Sequence, residues 1–248
     1  MFKQDLTFRS TLMNAAGMLG FVPNRRGPVD LNRLGAFVTN PVSLAPRKPA
    51  ESRVMLPFTG GFLLHTGLPN PGLRSVILRS AQRWSEASLP VLVHILAANP
   101  EETARMVAHL EGLENIAGIE LGLEPRVTIE QALPRIQAAL GELPVVACLP
   151  AERAGELAQA LASSGVSAFS LDAPRGILPD VDGKLVSGRL YGPALLPRAL
   201  AAVQDAAQAG LPIFGSGGVY SQADAAAMQA AGAAAVQLDA VLWRGGWD

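Results

Sequence analysis

The sequence is poor in cysteine, in aromatic residues and in charge. Cys148 is the single cysteine among 248 residues, so the chain can form neither an internal disulfide nor a cluster of thiolate ligands. Charged residues make up 17% of the chain and the net charge is -1, which excludes a basic footprint for nucleic acid or for an anionic membrane. The short pair Arg25–Arg26 is interpreted as part of a solvated loop.

Long apolar runs are missing as well. The first residues, MFKQDLTFRSTLMNAAG, contain no secretory-type apolar segment, and no run reaches the roughly 18 residues that a membrane-spanning helix requires. The sequence therefore predicts a cytoplasmic protein without a membrane span. Apolar residues nevertheless make up 49% of the chain, which is enough for a large core in one domain, residues 1–248.

Short apolar runs typical of buried strands alternate with longer runs typical of helices. This alternation predicts an α/β fold with a parallel sheet, and the chain length matches a single (β/α)₈ TIM barrel. Eight strands are predicted, the number that closes such a barrel: Leu12–Ala16, Ala36–Asn40, Val91–Ile95, Ile116–Leu121, Pro144–Leu149, Val166–Leu171, Pro212–Gly215 and Ala234–Leu238.

Helices are predicted between these strands, at Pro100–Leu113, Val127–Leu140, Arg153–Ser163, Ala194–Gln208 and Gln222–Ala231. Asn99, Thr128 and Ser221 are the predicted N-caps. The segment Pro41–Asn70 is predicted to be irregular. A loop of this length in a compact domain is usually functional, and in a barrel it opens onto the carboxyl end of the strands, where active sites lie.

The seventh predicted strand runs into a glycine-rich turn, Gly215-Ser216-Gly217-Gly218. Glycine lets the backbone approach an anion closely, and the loops after the seventh and eighth strands form the usual phosphate site of barrels. The alternative is a tight turn that simply requires a positive φ. We favour the phosphate site because position and composition agree.

Four further segments, together with this turn, follow one another in an order that covers nearly the whole chain. They are Met13-Asn14-Ala15-Ala16-Gly17, Phe37-Val38-Thr39-Asn40 with Ser43, Arg47 and Arg53, Thr66-Gly67-Leu68-Pro69-Asn70-Pro71-Gly72, and Ser187-Gly188-Arg189-Leu190-Tyr191-Gly192-Pro193-Ala194-Leu195. The set resembles the flavin-facing strands and the substrate loop of the class 1 dihydroorotate dehydrogenases. The resemblance implies a TIM barrel that binds FMN and acts as an oxidoreductase.

The same resemblance implies which residues face the ligands. FMN would contact Asn14, Ala15, Gly17, Asn40, Gly188, Gly215, Gly217 and Gly218, and the substrate loop would present His65, Gly67 and Asn70. A small-molecule ligand is therefore expected at the carboxyl end of the barrel. Class 1 relatives commonly dimerise, so the resemblance also implies a homodimer.

Several positions depart from the pattern of that family. Its catalytic base, a cysteine or serine, aligns with Leu123, and its two flavin-facing lysines align with Asn40 and Cys148. A substrate-binding asparagine aligns with Leu64. These replacements predict a degenerate site that does not act on dihydroorotate.

Asp239 follows the eighth predicted strand, where the family has Gly-Thr or Gly-Ser amides that bind phosphate. A carboxylate about 4 Å from a phosphate costs around 1 kcal/mol per charge pair even in water. Asp239 is therefore expected to point away, to pair with a cation such as Arg244, or to preclude a phosphate.

Replacement catalytic groups are sought among Glu120, Glu124, Cys148 and Asp172, which lie with Asp239 at or just past predicted strand ends. A carboxylate among apolar neighbours can act as a base, although loop carboxylates more often form salt bridges. Cys148 in an apolar strand is expected to be inert. His65, His94 and His109 have no metal-ligand spacing, so no metal site is predicted.

Three functional hypotheses remain open at this point. The first is an FMN oxidoreductase with a degenerate site, and the second is a catalytically inactive barrel that serves as a structural or regulatory subunit of a hetero-complex. The third is a phosphate-binding barrel of another chemistry, for which no lysine at a strand end supplies a Schiff base. Trp243 and Trp247 are expected either to cap the barrel or to form an oligomer contact.

Overall fold

The computed structural model describes residues 6–24, 29–51 and 54–244. Arg25, Arg26, Arg53 and Trp247 lie outside the described residues, so the predictions made for them remain untested. Within the described ranges, no helix combines the length and the apolar character needed to cross a membrane.

The described residues form thirteen strands. In chain order they are β1 (Leu12–Asn14), β2 (Phe37–Val38), β3 (Val42–Ser43), β4 (Val54–Phe58), β5 (Gly61–His65), β6 (Val91–Leu96), β7 (Ile116–Gly122), β8 (Val145–Leu149), β9 (Ala168–Leu171), β10 (Arg175–Pro179), β11 (Leu185–Tyr191), β12 (Ile213–Ser216) and β13 (Ala235–Leu238).

Eight of these strands make the barrel. They pair in parallel in the order β1-β13-β12-β9-β8-β7-β6-β2, and a parallel bridge between Met13 and Ala36 closes the ring. The short strand β3 extends β2 along β6. The predicted (β/α)₈ barrel is confirmed, and each predicted strand is present with ends that shift by about two residues.

Six α-helices lie in the described chain: α1 (Leu73–Ser85), α2 (Pro100–Leu110), α3 (Ile129–Ala139), α4 (Ala154–Leu161), α5 (Leu196–Ala207) and α6 (Gln222–Ala230). Asn99, Thr128 and Ser221 accept the capping hydrogen bonds predicted for them. Helix α1 was not predicted, because Gly72 precedes it and offers no side-chain cap. Short 3₁₀ turns at Leu31–Arg33 and Ala240–Arg244 take the place of helices after β1 and after β13.

A second sheet of four antiparallel strands lies beside the carboxyl ends of the barrel strands. Its order is β10-β11-β5-β4, and we call it the roof sheet. It consists of two hairpins from distant parts of the chain, joined by pairs such as Leu64 with Arg189. The prediction that residues 41–70 are irregular is therefore wrong, since this segment contains β3, β4 and β5. The β4–β5 hairpin is local and turns at Thr59–Gly60, a signal that the prediction missed; its pairing with β11 leaves no local sequence pattern.

The interior of the barrel is apolar at its amino-terminal end. Leu92, Val146, Ala168, Phe214 and Ala235 form a cluster enclosed by the strands. A larger apolar layer fills the space between the strands and the helices and includes the fully buried Trp84. Side chains alternate along a strand, so the residues two positions after the inner cluster point inward at the next layer, towards the carboxyl end.

Candidate functional site

This next inward layer is polar. Five of its residues lie two positions after a residue of the inner apolar cluster. They are His94, Cys148, Ser170, Ser216 and Gln237. The sixth is Glu120 on β7, which is paired with His94 of β6 in the sheet. All six side chains are buried. Buried polar groups need partners, so their mutual contacts define what this layer can do.

His94 and Glu120 form the central contact of the polar layer. His94 Nδ1 lies 2.6 Å from Glu120 Oε2, and the Gln237 side-chain amide donates to Glu120 Oε1 at 2.7 Å. Burial alone raises the pKa of Glu120, but the hydrogen bond and charge of His94 outweigh it and hold that pKa below its usual range. The carboxylate is therefore ionised. It favours the His94 tautomer that carries its proton on Nδ1.

The other nitrogen of His94 lies against Gly122. A Cβ on residue 122 would come within 2.7 Å of His94 Nε2, so only glycine permits this imidazole position. His94 was predicted to lie in a strand, with no role in the site. Its contacts with β7 and β8 arise only when neighbouring strands pair.

Cys148 is the third member of this group. Its sulfur, a ring nitrogen of His94 and a carboxylate oxygen of Glu120 all lie within 4.8 Å of one another. Burial raises the pKa of the Cys148 thiol well above its ordinary value, and the negative charges of Glu120 and Asp172 raise it further. The free thiol is therefore neutral.

Asp172 and Arg189 connect the barrel to the roof sheet. Arg189 on β11 donates from Nε and Nη2 to the two carboxylate oxygens of Asp172, at 2.8 and 2.9 Å. Burial raises the pKa of Asp172, but the guanidinium of Arg189 outweighs this and lowers it overall. Asp172 was a predicted candidate, whereas the role of Arg189 was not foreseen.

A pocket of about 410 Å³ opens at the carboxyl end of the barrel, beneath the roof sheet. Its lining includes the titratable residues Arg47, His65, His94, Glu102, Glu124, Cys148, Asp172, Arg175, Arg189 and Tyr191. A larger concavity of about 560 Å³ at the opposite end of the barrel is lined without a titratable side chain. The pocket beneath the roof sheet is therefore the candidate site, at the end where barrels place their chemistry.

The residues of the predicted substrate loop divide between the pocket and the scaffold. His65 and Gly67 line the pocket. Asn70 is instead held by Ser43 and by the backbone amide of Gly72, so it fixes the shape of the loop. Glu124 lines the pocket, but it forms a 2.7 Å salt bridge with Arg135. This is the alternative that was predicted for a loop carboxylate.

Two predicted cofactor residues hold the backbone together. Asn14 is fully buried, and its side chain bonds both the amide and the carbonyl of Val38, which ties β1 to β2. Asn40 accepts a hydrogen bond from the amide of Gly20. Gly17 has φ +90° in the loop after β1, and Gly188 lies on β11 against Leu63.

Other parts of the protein pack closely against the turn that was predicted to bind phosphate. Gly215 lies against the Met228 side chain of α6, and Gly217 and Gly218 have φ values of +109° and +75°. A Cβ on Gly218 would lie 2.4 Å from the backbone nitrogen of Leu196 at the start of α5. The backbone N–H groups of Gly218, Asp239, Ala240 and Val241 act to lower the pKa of the Asp239 carboxyl group.

Asp239 thus lies where the phosphate was expected. It is only 3% exposed; burial raises its pKa to about 6, although four backbone amides act in the opposite direction. Its Oδ1 atom has no hydrogen-bond partner among the described residues. Arg244 does not pair with it there, because its guanidinium lies over the Tyr220 ring, 5.4 Å from the centroid.

The space beside Asp239 is small. A cavity of about 20 Å³, lined by Ala15, Ala16 and Met18 among others, separates Asp239 from the polar layer. Above it, Trp243 stacks on Phe62, contacts Tyr191 and donates from its indole nitrogen to the carbonyl of Met18 at 2.9 Å. Trp243 therefore packs on this end of the barrel, as one of the two alternatives expected, while 46% of it stays exposed; the oligomer contact stays a prediction.

These observations test whether the residues present fit FMN. A phosphate and the Asp239 carboxyl group cannot use the same amides, and the cavity beside them holds about one water, whereas pockets for larger ligands start at roughly 300 Å³. The residues after β12 and β13 do not fit the phosphate end of this cofactor.

Comparisons with known proteins give a consistent result. No family model matches the chain. The chain is 30% identical to the dihydroorotate dehydrogenase B (NAD(+)) catalytic subunit of Pelobacter propionicus, over 94% of this chain and 84% of the relative. It is 32% identical to the protein of the same name from Desulforudis audaxviator, and 29% identical to that from Trichlorobacter lovleyi, each over 94% of this chain and more than four-fifths of the relative.

Proposed function

The chain belongs to the dihydroorotate dehydrogenase family, and on this premise we propose that it is a degenerate member, which binds a small anionic ligand without holding FMN. The observation that carries the proposal is the buried Asp239 carboxyl group after β13, with a cavity of only about 20 Å³ beside it. An internal acid at this place competes with any phosphate group.

Dihydroorotate is not the proposed substrate. The resemblance puts the base of that reaction at Leu123, a buried apolar side chain that accepts no proton. Cys148 stands in the place of a lysine and is a neutral thiol, which supplies no positive charge. His94 lines the pocket and is oriented by Glu120 through Nδ1, which is the arrangement of a general base held by a carboxylate.

The arginines of the pocket support an anionic ligand. Asp172 neutralises Arg189, but within residues 6–24, 29–51 and 54–244 no carboxylate forms a salt bridge with Arg175 or Arg47. Burial and the charge of Arg189 both lower the pKa of Arg175. A carboxylate or phosphate ligand in the 410 Å³ pocket relieves this repulsion and accepts hydrogen bonds from the guanidinium groups.

The first experiment is the visible absorption spectrum of freshly purified protein, followed by titration with FMN. We expect a colourless protein whose spectrum and melting temperature do not respond to FMN. Asp239→Gly restores the glycine that the family has at this place, and it serves as the comparison variant. Purification of the wild-type chain with one equivalent of bound FMN would overturn the proposal.

Anion binding is tested separately by thermal shift and calorimetry with a panel of small mono- and dicarboxylates and sugar phosphates. We expect at least one to bind, with affinity lowered about tenfold or more in Arg175→Gln, since a hydrogen bond to a charged group contributes roughly 1.5–3 kcal/mol. Arg198→Gln, an exposed arginine on α5 outside the pocket, is the matched control. Equal affinities in both variants would exclude the pocket arginines as the binding groups.

A second candidate is a subunit of a larger assembly. The relatives are named as catalytic subunits, and the two hairpins of the roof sheet expose Met55, Ile177, Val181 and Leu185 by more than 60% each. Exposed apolar patches of this kind often mark protein contacts. Light scattering on the purified chain and pull-down from native lysate distinguish a homodimer from a hetero-complex, and recovery of the monomer alone counts against both.

A further inference from the structure

The His94, Glu120 and Cys148 side chains have a geometry that their partners in the protein do not fully explain. Their three donor atoms lie within 4.8 Å of one another, and all three residues are buried. In a tetrahedral zinc centre the bonds of about 2.0–2.3 Å separate the ligand atoms by roughly 3.5 Å. Small side-chain movements therefore bring the three atoms around one ion.

The three donors are also the right kind of ligand. Imidazole, carboxylate and thiolate are the groups that bind zinc in proteins, and this mixed set does not suit magnesium or calcium, which prefer oxygen alone. Three protein ligands with a fourth position open is the arrangement of catalytic rather than structural zinc sites. Sequence spacing gave no sign of this group, because its members come from three different strands.

Charge and neighbouring groups favour a cation at this place. A second carboxylate, Asp172, lines the same small cavity as His94, Glu120 and Cys148, and it is bonded to Arg189 on its other side. The Ser170 hydroxyl lies beside Glu120 and Cys148 but has no hydrogen-bond partner of good geometry among the described residues. It is therefore free to bond a water held by an ion.

An entry path exists as well. His94 and Cys148 line the 410 Å³ pocket, so an ion can reach them from solvent and its open position faces a bound ligand. Gln237 donates to Glu120 Oε1 and orients the carboxylate from behind. Hydrogen bonds of this kind, from a neighbouring side chain to a metal ligand, fix the orientation of the ligand.

We propose that His94, Glu120 and Cys148 bind one divalent transition-metal ion of the zinc type at the base of the pocket. On binding, the Cys148 thiol loses its proton to solvent and its sulfur forms a bond to the ion, with no change in oxidation state. One ring nitrogen of His94 and one oxygen of Glu120 complete the protein ligands, in place of the hydrogen bond between them. The proton on His94 Nδ1 then moves to Nε2, so that Nδ1 offers its lone pair to the ion and the imidazole stays neutral. The fourth position is left for water or an anionic ligand.

The test is titration of chelator-treated protein with Co²⁺ under anaerobic conditions. Because Cys148 is the only cysteine of the chain, a thiolate-to-cobalt charge-transfer band in the near ultraviolet reports on this residue alone. We expect the band to saturate at one equivalent of Co²⁺ and to disappear when Zn²⁺ is added. Alkylation of Cys148 should slow at least tenfold with metal bound.

Variants separate this site from adventitious binding. Cys148→Ser should abolish the band, and His94→Gln should weaken Co²⁺ binding at least tenfold. His109→Gln removes an exposed histidine of α2 and should leave the titration unchanged. Circular dichroism establishes whether each variant is folded. If a variant does not fold, the titration of the wild-type protein with Co²⁺ still tests the proposal. Absence of the band in folded wild-type protein at millimolar Co²⁺, or a band that survives His94→Gln unchanged, would overturn the proposal; neither result depends on FMN.

Discussion

The imidazole of His94 and the carboxylate of Glu120 are in direct hydrogen-bond contact inside the barrel, with only 5% and 1% of their side chains exposed. A buried pair of this kind is costly to break from one side, because the remaining partner keeps its polar groups without a bond. The consequences can be measured without any knowledge of the ligand.

Glu120→Ala should lower the free energy of unfolding by about 3–5 kcal/mol, because it leaves His94 and Gln237 without their shared acceptor. Since the pKa of Glu120 is lowered by folding, its stabilising contribution is present above its ordinary value of 4.5 and is lost as pH falls through the folded-state pKa. Denaturant unfolding at several pH values measures both effects. The control is Glu156→Ala, which removes an exposed partner of Arg153 and should hardly change the midpoint.

Asp239→Asn should have a stability effect that depends on pH in the opposite sense. The pKa of Asp239 rises from 3.8 to about 6, so the folded state gains stability from this group below pH 3.8 and loses it as pH rises through 6. Asparagine does not titrate. The difference in unfolding free energy, variant minus wild type, should therefore increase by up to roughly 3 kcal/mol between pH 3.5 and pH 7. A difference that is flat with pH would contradict the raised pKa.

Gly218→Ala and Gly210→Ala form a matched pair of substitutions. Both glycines have a positive φ, +75° and +78°, so both variants bear the cost of a left-handed alanine. A Cβ at 218 also meets the backbone of Leu196 at 2.4 Å, whereas nothing lies within 4 Å at 210. Gly218→Ala should be more destabilising by about 1–3 kcal/mol in urea denaturation. Equal effects would mean that α5 moves away freely.

Arg189→Lys tests the link between the barrel and the roof sheet. Lysine keeps the positive charge but cannot offer two parallel N–H groups to Asp172, so a loss of roughly 1.5–3 kcal/mol is expected from the missing charged hydrogen bond. Thermal and denaturant unfolding measure it. In Arg175→Lys, at a neighbouring position of the roof sheet without a salt bridge among the described residues, stability should change much less. A similar loss of stability in both variants would indicate that it comes from general packing and not from the two parallel hydrogen bonds between Arg189 and Asp172.

The barrel could be predicted because its signals are local. Parallel strands covered on both faces are continuous apolar runs, as in Val145–Leu149, and the helices between them carry their own caps at Asn99 and Thr128. The roof sheet could not be predicted this way. Its pairs, such as Leu64 with Arg189, join segments that carry no complementary pattern of their own.

The site was predicted in part for the same reason. Asp172 and Cys148 could be predicted as site residues because they lie at strand ends. Asp239 could be predicted because it departs from the pattern of the family. What Asp239 does could not be foreseen, since its surroundings depend on where the amides of Gly218 and Val241 point. The contact between His94 and Glu120 depends on the register of β6 with β7, which the sequence leaves open.

The roof sheet joins two distant parts of the chain, and this affects the order in which the protein folds. Its central pairing, β5 with β11, closes a loop of more than a hundred residues that contains four of the barrel strands, β6 to β9. Contacts of such long range form late in folding, because the entropy of loop closure must be overcome first. We expect the roof sheet to be the last region to gain protection from amide hydrogen exchange during refolding, and the first to lose it when the native protein opens. Exchange of ligands with solvent would then follow local opening of the roof sheet, with the barrel still closed.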